Sequence, residues 1–421
     1  MKKTAFIQRI VIILLCAIYT VGHQNAKAQS NMVSTVMGHV KSDQRSRKAS
    51  SASSDVPTPE ALKKYLEQNW RSPEQYIIEK FKTRDVILLS EEHAIKHNLE
   101  LAQQIIPELY RAGVYNFGVE FGAFEDQALA DSLVTAPEYN EDIARRIMFN
   151  YNVGWVYQEY RDIYKAAWNL NKSLPAKAKK FRILNISYKY NWAGCDDKYF
   201  GIRTAETYNR IFNKGNTEFY RAGVIKSQIL DKHEKVLVLC GFGHAYTRYN
   251  TPYYDYREEH FYRFDSHRMG NILYRLAPTK VFTILLHYPF EGKTYGPMIL
   301  YPPAGGAIDV VMKKFADKRV GFDLVKTPFG ALRDTSQYSI GYPDFKLSDM
   351  ADGYIYQKPF SEYEGCTIDK NFFTEANWPE VKRNYPDKDV ERVPESKEAY
   401  LERISRYVDL KWRYRTVKVP D

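Results

Sequence analysis

Five short, mostly apolar runs constrain this chain more than any other feature: Val86–Leu89, Phe117–Phe121, Phe181–Ile186, Val236–Cys240 and Val281–Leu286. A short run with little polar alternation is the pattern of a strand buried on both faces. Between the first two, Ile95, Leu99, Ala102, Ile105, Ile106 and Leu109 recur at helical spacing until Gly113 ends the helix. Strand, helix and strand make a β-α-β unit, which implies parallel pairing. Further helical regions are expected over about 124–172 and 203–232. The alternation predicts an α/β fold with a mainly parallel central sheet flanked by helices.

The two ends read differently. Met1-Lys2-Lys3 and Arg9 precede an apolar run from Ile10 to Val21, and Ala26-Lys27-Ala28 follows. A charged start, a short apolar core and a small-x-small site make a cleavable secretory signal over 1–28, too short to span a bilayer. The chain is therefore expected to be exported, to the periplasm or beyond. Cys16 follows Leu14-Leu15 and lacks the small residue that lipid attachment wants, which disfavours a lipoprotein. No later stretch reads as a membrane span. Residues 29–57 are rich in Ser, Lys and Gln without apolar periodicity, as in a flexible linker. Leu62, Tyr65 and Leu66 mark a first short helix, and the α/β domain is expected over 58–329. After about 302 the alternation is lost to Pro, Gly, Tyr and charge, so 330–421 is read as an irregular C-terminal extension packed on the domain. Leu401, Ile404, Tyr407 and Val408 place a surface helix near 394–411.

Charge excludes one partner class. Lys2, Lys3, Arg9 and Lys27 account for four of the formal +10, and the remaining +6 is dispersed in mixed-sign segments. Nothing forms a nucleic-acid stripe. Beyond the signal only Cys195, Cys240 and Cys366 remain, and Cys240 falls inside an apolar strand. A disulfide framework is excluded, while a single Cys195–Cys366 bridge stays open. There is no G-x-S-x-G elbow, no Walker loop, and no G-x-G-x-x-G after a first strand.

Chemistry is concentrated at strand ends. The first run leads into Ser90-Glu91-Glu92-His93, the second carries Glu120, and the fourth ends in Gly241-Phe242-Gly243-His244. In a parallel sheet these C-terminal ends share one edge, where α/β proteins collect their sites. His93, Glu120 and His244 can therefore converge. Two imidazoles and a carboxylate suit a divalent metal with an open position that activates water. Glu91 can orient His93 or act as general base. Gly241 and Gly243 can supply positive φ or close backbone approach, or simply a turn. His97, four residues after His93, can share its helix face or merely decorate the first turn; His287 follows the fifth run and can join the site or only precede a loop, and His267 is a weaker candidate of the same kind. Tyr246 and Tyr249 open a tyrosine-rich run that can wall a pocket or ligate haem iron, or that clusters by chance among 34 tyrosines.

Glu91 and His93, then Glu120, then Gly241 with His244 resemble the motifs of the superfamily joining erythromycin esterases, ChaN-like haem-binding proteins, and the TraB and Tiki proteins. Those families carry G-E-x-H after the first strand, a glutamate after the second, and G-x-x-H late in the domain. The resemblance covers about 85–290 and lies closer to the ChaN, TraB and Tiki side. Ser90 stands where the first motif has glycine. The resemblance implies two functions. One is a hydrolase, metal-assisted, that cleaves a peptide or ester substrate with His93, Glu120, His244 and Glu91 at its centre. The other is a non-catalytic binder of haem or another iron ligand, held by His93 or His244 with a tyrosine from 246–262.

Overall fold

The computed structural model describes residues 56–195, 201, 204–293, 299–389 and 391–420. The expected signal and nearly all of the expected linker lie outside the described residues. Among the described residues eleven strands are formed: β1 Val86–Glu91, β2 Asn116–Ala123, β3 Arg182–Ser187, β4 Val236–Gly241, β5 Thr251–Asp255, β6 His260–Asp265, β7 Val281–Leu286, β8 Phe290–Glu291, β9 Leu300–Tyr301, β10 Val320–Asp323 and β11 Gly353–Tyr356. Seven of them make the central sheet in the order β10-β11-β7-β1-β4-β2-β3, while β5-β6 and β8-β9 are separate hairpins. All pairs of the central sheet are parallel except β10 with β11. The five apolar runs are β1, β2, β3, β4 and β7, and the α/β sheet expected from them is present.

Both faces of the sheet are covered. Ile87 and Leu89 of β1, Leu237 and Leu239 of β4, and Phe117 and Val119 of β2 join one apolar cluster. The helices Lys96–Gln104, Ile106–Arg111, Gln127–Thr135, Glu141–Tyr151 and Gln158–Ser173 pack into it. Val86 and Leu88, with Val236, Val238 and Cys240, join another, against the helices Thr217–Gln228 and Met269–Leu276. Alternate residues reach opposite layers because side chains in a strand repeat every two residues. Caps match the chemistry of their termini: Ser72 forms a capping box with Gln75, and Asn216 accepts from the amides of Glu218 and Phe219.

The stretch 330–421 does more than pack on the domain. It supplies β11, which sits between β7 and β10 and pairs with both. It also laces the loop after β1. Lys96 donates its amide to the carbonyl of Glu364, Cys366 to that of Ala94, and Gln158 to that of Thr367. Asp369 accepts from Arg145 and Arg161 at 2.8 and 2.6 Å. The helix Lys397–Val408 buries Tyr400, Ile404 and Tyr407, as the expected surface helix should. Arg413 beyond it donates to Glu92 at 2.8 Å. Cys366 is a buried thiol, so the Cys195–Cys366 bridge left open by the sequence is not formed. Among the described residues, no helix is long and apolar enough to cross a membrane.

A chain ending at Phe329 loses β11, leaves β10 without its partner and exposes the edge of β7. It is expected to lack the cooperative thermal transition of the full chain, followed by near-UV circular dichroism. A truncated chain that melts cooperatively at the full-length temperature contradicts this account.

Candidate functional site

The sheet order carries three strand ends to one place. Glu91 of β1 lies in register beside Gly241 of β4, and β2, which carries Glu120, flanks β4 on its other side. Past β1 the chain turns sharply, with Ala94 in the left-handed region (φ 63°). Its amide donates to the Tyr160 hydroxyl at 3.0 Å. A strained residue beside a reactive one is held only where the surroundings over-determine it. Here they do, because Tyr160 also donates to Glu91 Oε1 at 2.8 Å. The turn brings His93 back over the end of β4. After β4 a single helical turn, Phe242–Ala245, presents His244.

These residues meet on one carboxylate. His93 Nδ1 lies 3.0 Å from Glu91 Oε1, and its Nε2 lies 3.2 Å from Glu120 Oε1. His244 Nδ1 lies 2.6 Å from Glu218 Oε1, and its Nε2 lies 3.7 Å from Glu120 Oε2. The Gly241 amide donates to Glu120 Oε2 at 3.1 Å. Two carboxylate-backed imidazoles thus face the two oxygens of a third carboxylate. The backing comes from both layers: Tyr160 from one face of the sheet, and Glu218 from the other. Glu91, Glu120, Glu218 and His244 are buried. The His93 side chain keeps 13 % exposure, more than those of His244, Glu218, Glu120 and Glu91. Trp155 meets the His93 ring edge-on at 5.0 Å and stacks on Phe121.

Burial and pairing set the protonation. Burial alone would push His93 down, but the carboxylates of Glu120, Glu91 and Glu92 outweigh it and lift His93 to about 9. Burial pushes Glu120 up, and His244, His93, Arg221 and the Gly241 amide reverse this, leaving it below the usual carboxylate range. Glu218 follows the same balance: burial opposes ionisation, and His244 and the nearby arginines bring it down to about 2. Burial raises Glu91, and its hydrogen bonds from His93 and Tyr160 offset only part of that.

The glycine of the third motif has a steric reason. A Cβ on Gly241 would lie 2.7 Å from His93 Nε2 and 2.9 Å from its Cε1. Positive φ is not the reason, since Gly241 sits at φ −54°. Ser90, where the resemblance expects glycine, is buried within β1.

The residues suggested by sequence divide into two groups. Glu91, His93, Glu120 and His244 come together, whereas Tyr246 and Tyr249 do not join them. Both tyrosines are buried in the cluster around β10 and β11, and the Tyr249 hydroxyl donates to the Tyr338 carbonyl at 2.9 Å. His97 packs edge-on against Tyr363, and burial, with help from Lys358, lowers it to about 3. His287 is bound instead to Tyr354 and Asp309 at 2.6 and 3.1 Å. His267 pairs with Asp265 on the surface. Sequence reading missed Glu218, Arg221 and Tyr160. Glu218 and Arg221 share the buried stripe of their helix with Ala222 and Ile225, so charge on an apolar face was the available signal.

The expected metal set fits poorly. Among the described residues, no group of three or more His, Cys, Asp or Glu side chains is arranged to hold a metal ion. Each candidate ligand is instead engaged with the others, and the Arg221 guanidinium stands 4.0 Å from Glu120 Oε2. A permanent cation beside the would-be carboxylate ligand opposes a divalent ion by Coulomb repulsion.

No protein-family model and no curated protein matches this sequence. Among solved structures, the chain resembles a Bacillus cereus protein at a TM-score of 0.46 and 11% identity, over 74% of this chain and 99% of that one. It resembles an erythromycin esterase, EreC, in its open conformation at 0.43 and 11%, over 73% and 100%. It resembles ChaN of Campylobacter jejuni, with haem bound cofacially, at 0.33 and 15%, over 54% and 90%. The last two carry the family names suggested by the strand-end motifs.

His93 is expected to titrate near 9 by NMR, and to fall toward the ordinary 6.5 in Glu120→Gln and Gly241→Ala. A raised folded-state value contributes stability that is full below 6.5 and is lost as pH rises through about 9. A wild-type His93 that titrates near 6.5 contradicts the shared-carboxylate geometry.

Proposed function

We propose that this chain is an exported hydrolase that cleaves an ester or peptide bond by general acid–base attack of water, without a metal ion. The observation that supports it is the convergence of the Glu91–His93 and Glu218–His244 pairs on the buried, ionised Glu120. Such a centre can both accept and deliver a proton across a few ångströms. His93, raised to about 9, is protonated at neutral pH and is the most exposed of these groups, which suits a general acid for the leaving group. Glu120 is the base on the inner side. Its Oε1 lies within reach of His93 Nε2, so the proton taken from water can return to His93 after each cycle. Glu91 holds the His93 ring by Nδ1 and keeps Nε2 turned to the reaction. The buried setting makes each charge count for more than it would in water.

The test uses the chain without residues 1–28, on p-nitrophenyl acetate and a fluorogenic peptide, before and after EDTA. Hydrolysis should survive chelation and, on the peptide, whose amine leaving group must be protonated, fall about 100- to 10,000-fold in His93→Ala. As the acid is lost, the rate should decline tenfold per pH unit above about 9. Activity abolished by EDTA and restored by zinc would return the metal-assisted reading. No turnover, with a Soret band on haem addition that weakens in His93→Ala and His244→Ala, would establish the haem-binding alternative. Export is tested separately, by whether protein recovered from the cell envelope has lost residues 1–28.

A further inference from the structure

Arg221 is fully buried, and its orientation is over-determined. Nε donates to Ser187 Oγ at 2.9 Å, and the Ser187 hydroxyl donates in turn to the Glu120 carbonyl at 2.6 Å. Nη2 donates to the hydroxyls of Tyr151 and Tyr190 at 2.9 and 3.4 Å. Nη1 alone has no hydrogen-bond partner among the described residues, and it is the nitrogen that faces Glu120 Oε2, at 4.0 Å. The same oxygen faces His244 Nε2 at 3.7 Å. Both separations exceed a hydrogen bond, and both are spans that a single oxygen atom between the groups would bridge at ordinary lengths.

A guanidinium retained only to neutralise Glu120 would be expected to close on it. Ser187, Tyr151 and Tyr190 instead hold the side chain through Nε and Nη2, and its one unpartnered donor, Nη1, is left facing Glu120. Buried donors in native proteins are almost always matched, so an orphan beside a reactive carboxylate points to an atom bound there in use.

We infer that Arg221 Nη1 donates to the oxygen of the attacking water, seated beside His244 Nε2, while Glu120 Oε2 accepts its proton. The inference rests on the hydrolase reading above. In the step, one O–H bond of water breaks and its proton passes to Glu120 Oε2. The oxygen lone pair forms a bond to the substrate's carbonyl carbon, and the acyl–oxygen bond of the ester then breaks. The leaving oxygen takes the Nε2 proton of His93, and the proton on Glu120 restores it. Negative charge develops on the attacking oxygen beside a fixed, dry cation, the role that a metal ion fills in metal-dependent hydrolases. Arg221 is thus a catalytic residue, and the buried charges around it have a purpose beyond stability.

The test compares wild type, Arg221→Gln and Arg221→Lys of the mature chain, each shown to be folded by circular dichroism. The probe is p-nitrophenyl acetate. Arg221→Gln should lower kcat about 100-fold or more with KM little changed, and Arg221→Lys should recover at least about tenfold of that loss. A second readout needs no turnover: fluoride, an acceptor the size of oxygen, should shift the His244 imidazole resonances of wild type in mildly acid solution and leave those of Arg221→Gln unmoved. If Arg221→Gln does not fold, Arg221→Lys carries the test, with kcat reduced at constant KM. Hydrolysis that needs His93 but survives Arg221→Gln within threefold overturns the inference and leaves the hydrolase standing. A wild type without turnover removes the hydrolase reading. The fluoride shift then decides the rest: present in wild type and absent in Arg221→Gln, it retains the oxygen seat, and absent in both, it overturns the seat as well.

Discussion

The carboxylate of Glu120 is the charge around which this end of the molecule is arranged. A carboxylate fully removed from water is costly unless it is met by opposite charge and hydrogen bonds. Here the compensation comes from four directions: the Gly241 amide at the end of β4, His93 after β1, His244 after β4, and Arg221 from a helix on one face of the sheet. Each compensating group brings its own dependant. His93 needs Glu91, Glu91 needs Tyr160, and His244 needs Glu218. No single element can provide such a set. It requires the order β1-β4-β2, which places three strand ends side by side, and a helical layer on each face to supply the outer partners.

That dependence explains the C-terminal stretch 330–421. The loop bearing His93 and Ala94 has few strand hydrogen bonds of its own, and a strained turn does not hold itself. Residues 364–369 run antiparallel to it and to the start of the helix Gln158–Ser173, fixing both with main-chain bonds. Arg413, lying over the Tyr407 ring, ties down Glu92 between the two site residues. The tyrosine abundance belongs to the same design. Tyr160 and Tyr151 are buried and Tyr190 partly buried, their hydroxyls reach charged groups, and burial pushes the hydroxyls of Tyr160 and Tyr190 well up, so they remain neutral donors or acceptors.

What the sequence made legible followed from burial pattern. Strands covered on both faces are apolar throughout, so β1, β2, β3, β4 and β7 could be read directly, and their polar ends then stood out. β10 and β11 could not be read this way. Val320–Asp323 and Gly353–Tyr356 are short and contain glycine and tyrosine. Their place is set by distant contacts: a Cβ on Gly353 would collide with the Tyr76 hydroxyl. Glu218 and Arg221 were hidden for a related reason. Charges in a helix usually mark its wet face, and only the tertiary fold reveals that this stripe is inside. Tyr246 and Tyr249 misled through proximity in sequence. They follow His244 closely, but the chain turns after Ala245 and buries both rings against Tyr338, away from the imidazole.

The motifs themselves can be restated as physical requirements. Glu91 must accept from an imidazole two residues on, which sets the E-x-H spacing once the chain reverses at Ala94. Gly241 must lack a Cβ because the His93 ring lies against it, so the first and third motifs are two halves of one contact. Ser90 is under no such demand. Its side chain sits one residue before Glu91 on the opposite face of β1, buried beside Cys240, and it reaches neither imidazole by any hydrogen bond. A residue at that position can therefore depart from glycine without disturbing the pairings on Glu120. A centre held together in this way depends on which residues touch the shared carboxylate, and Ser90 is not among them.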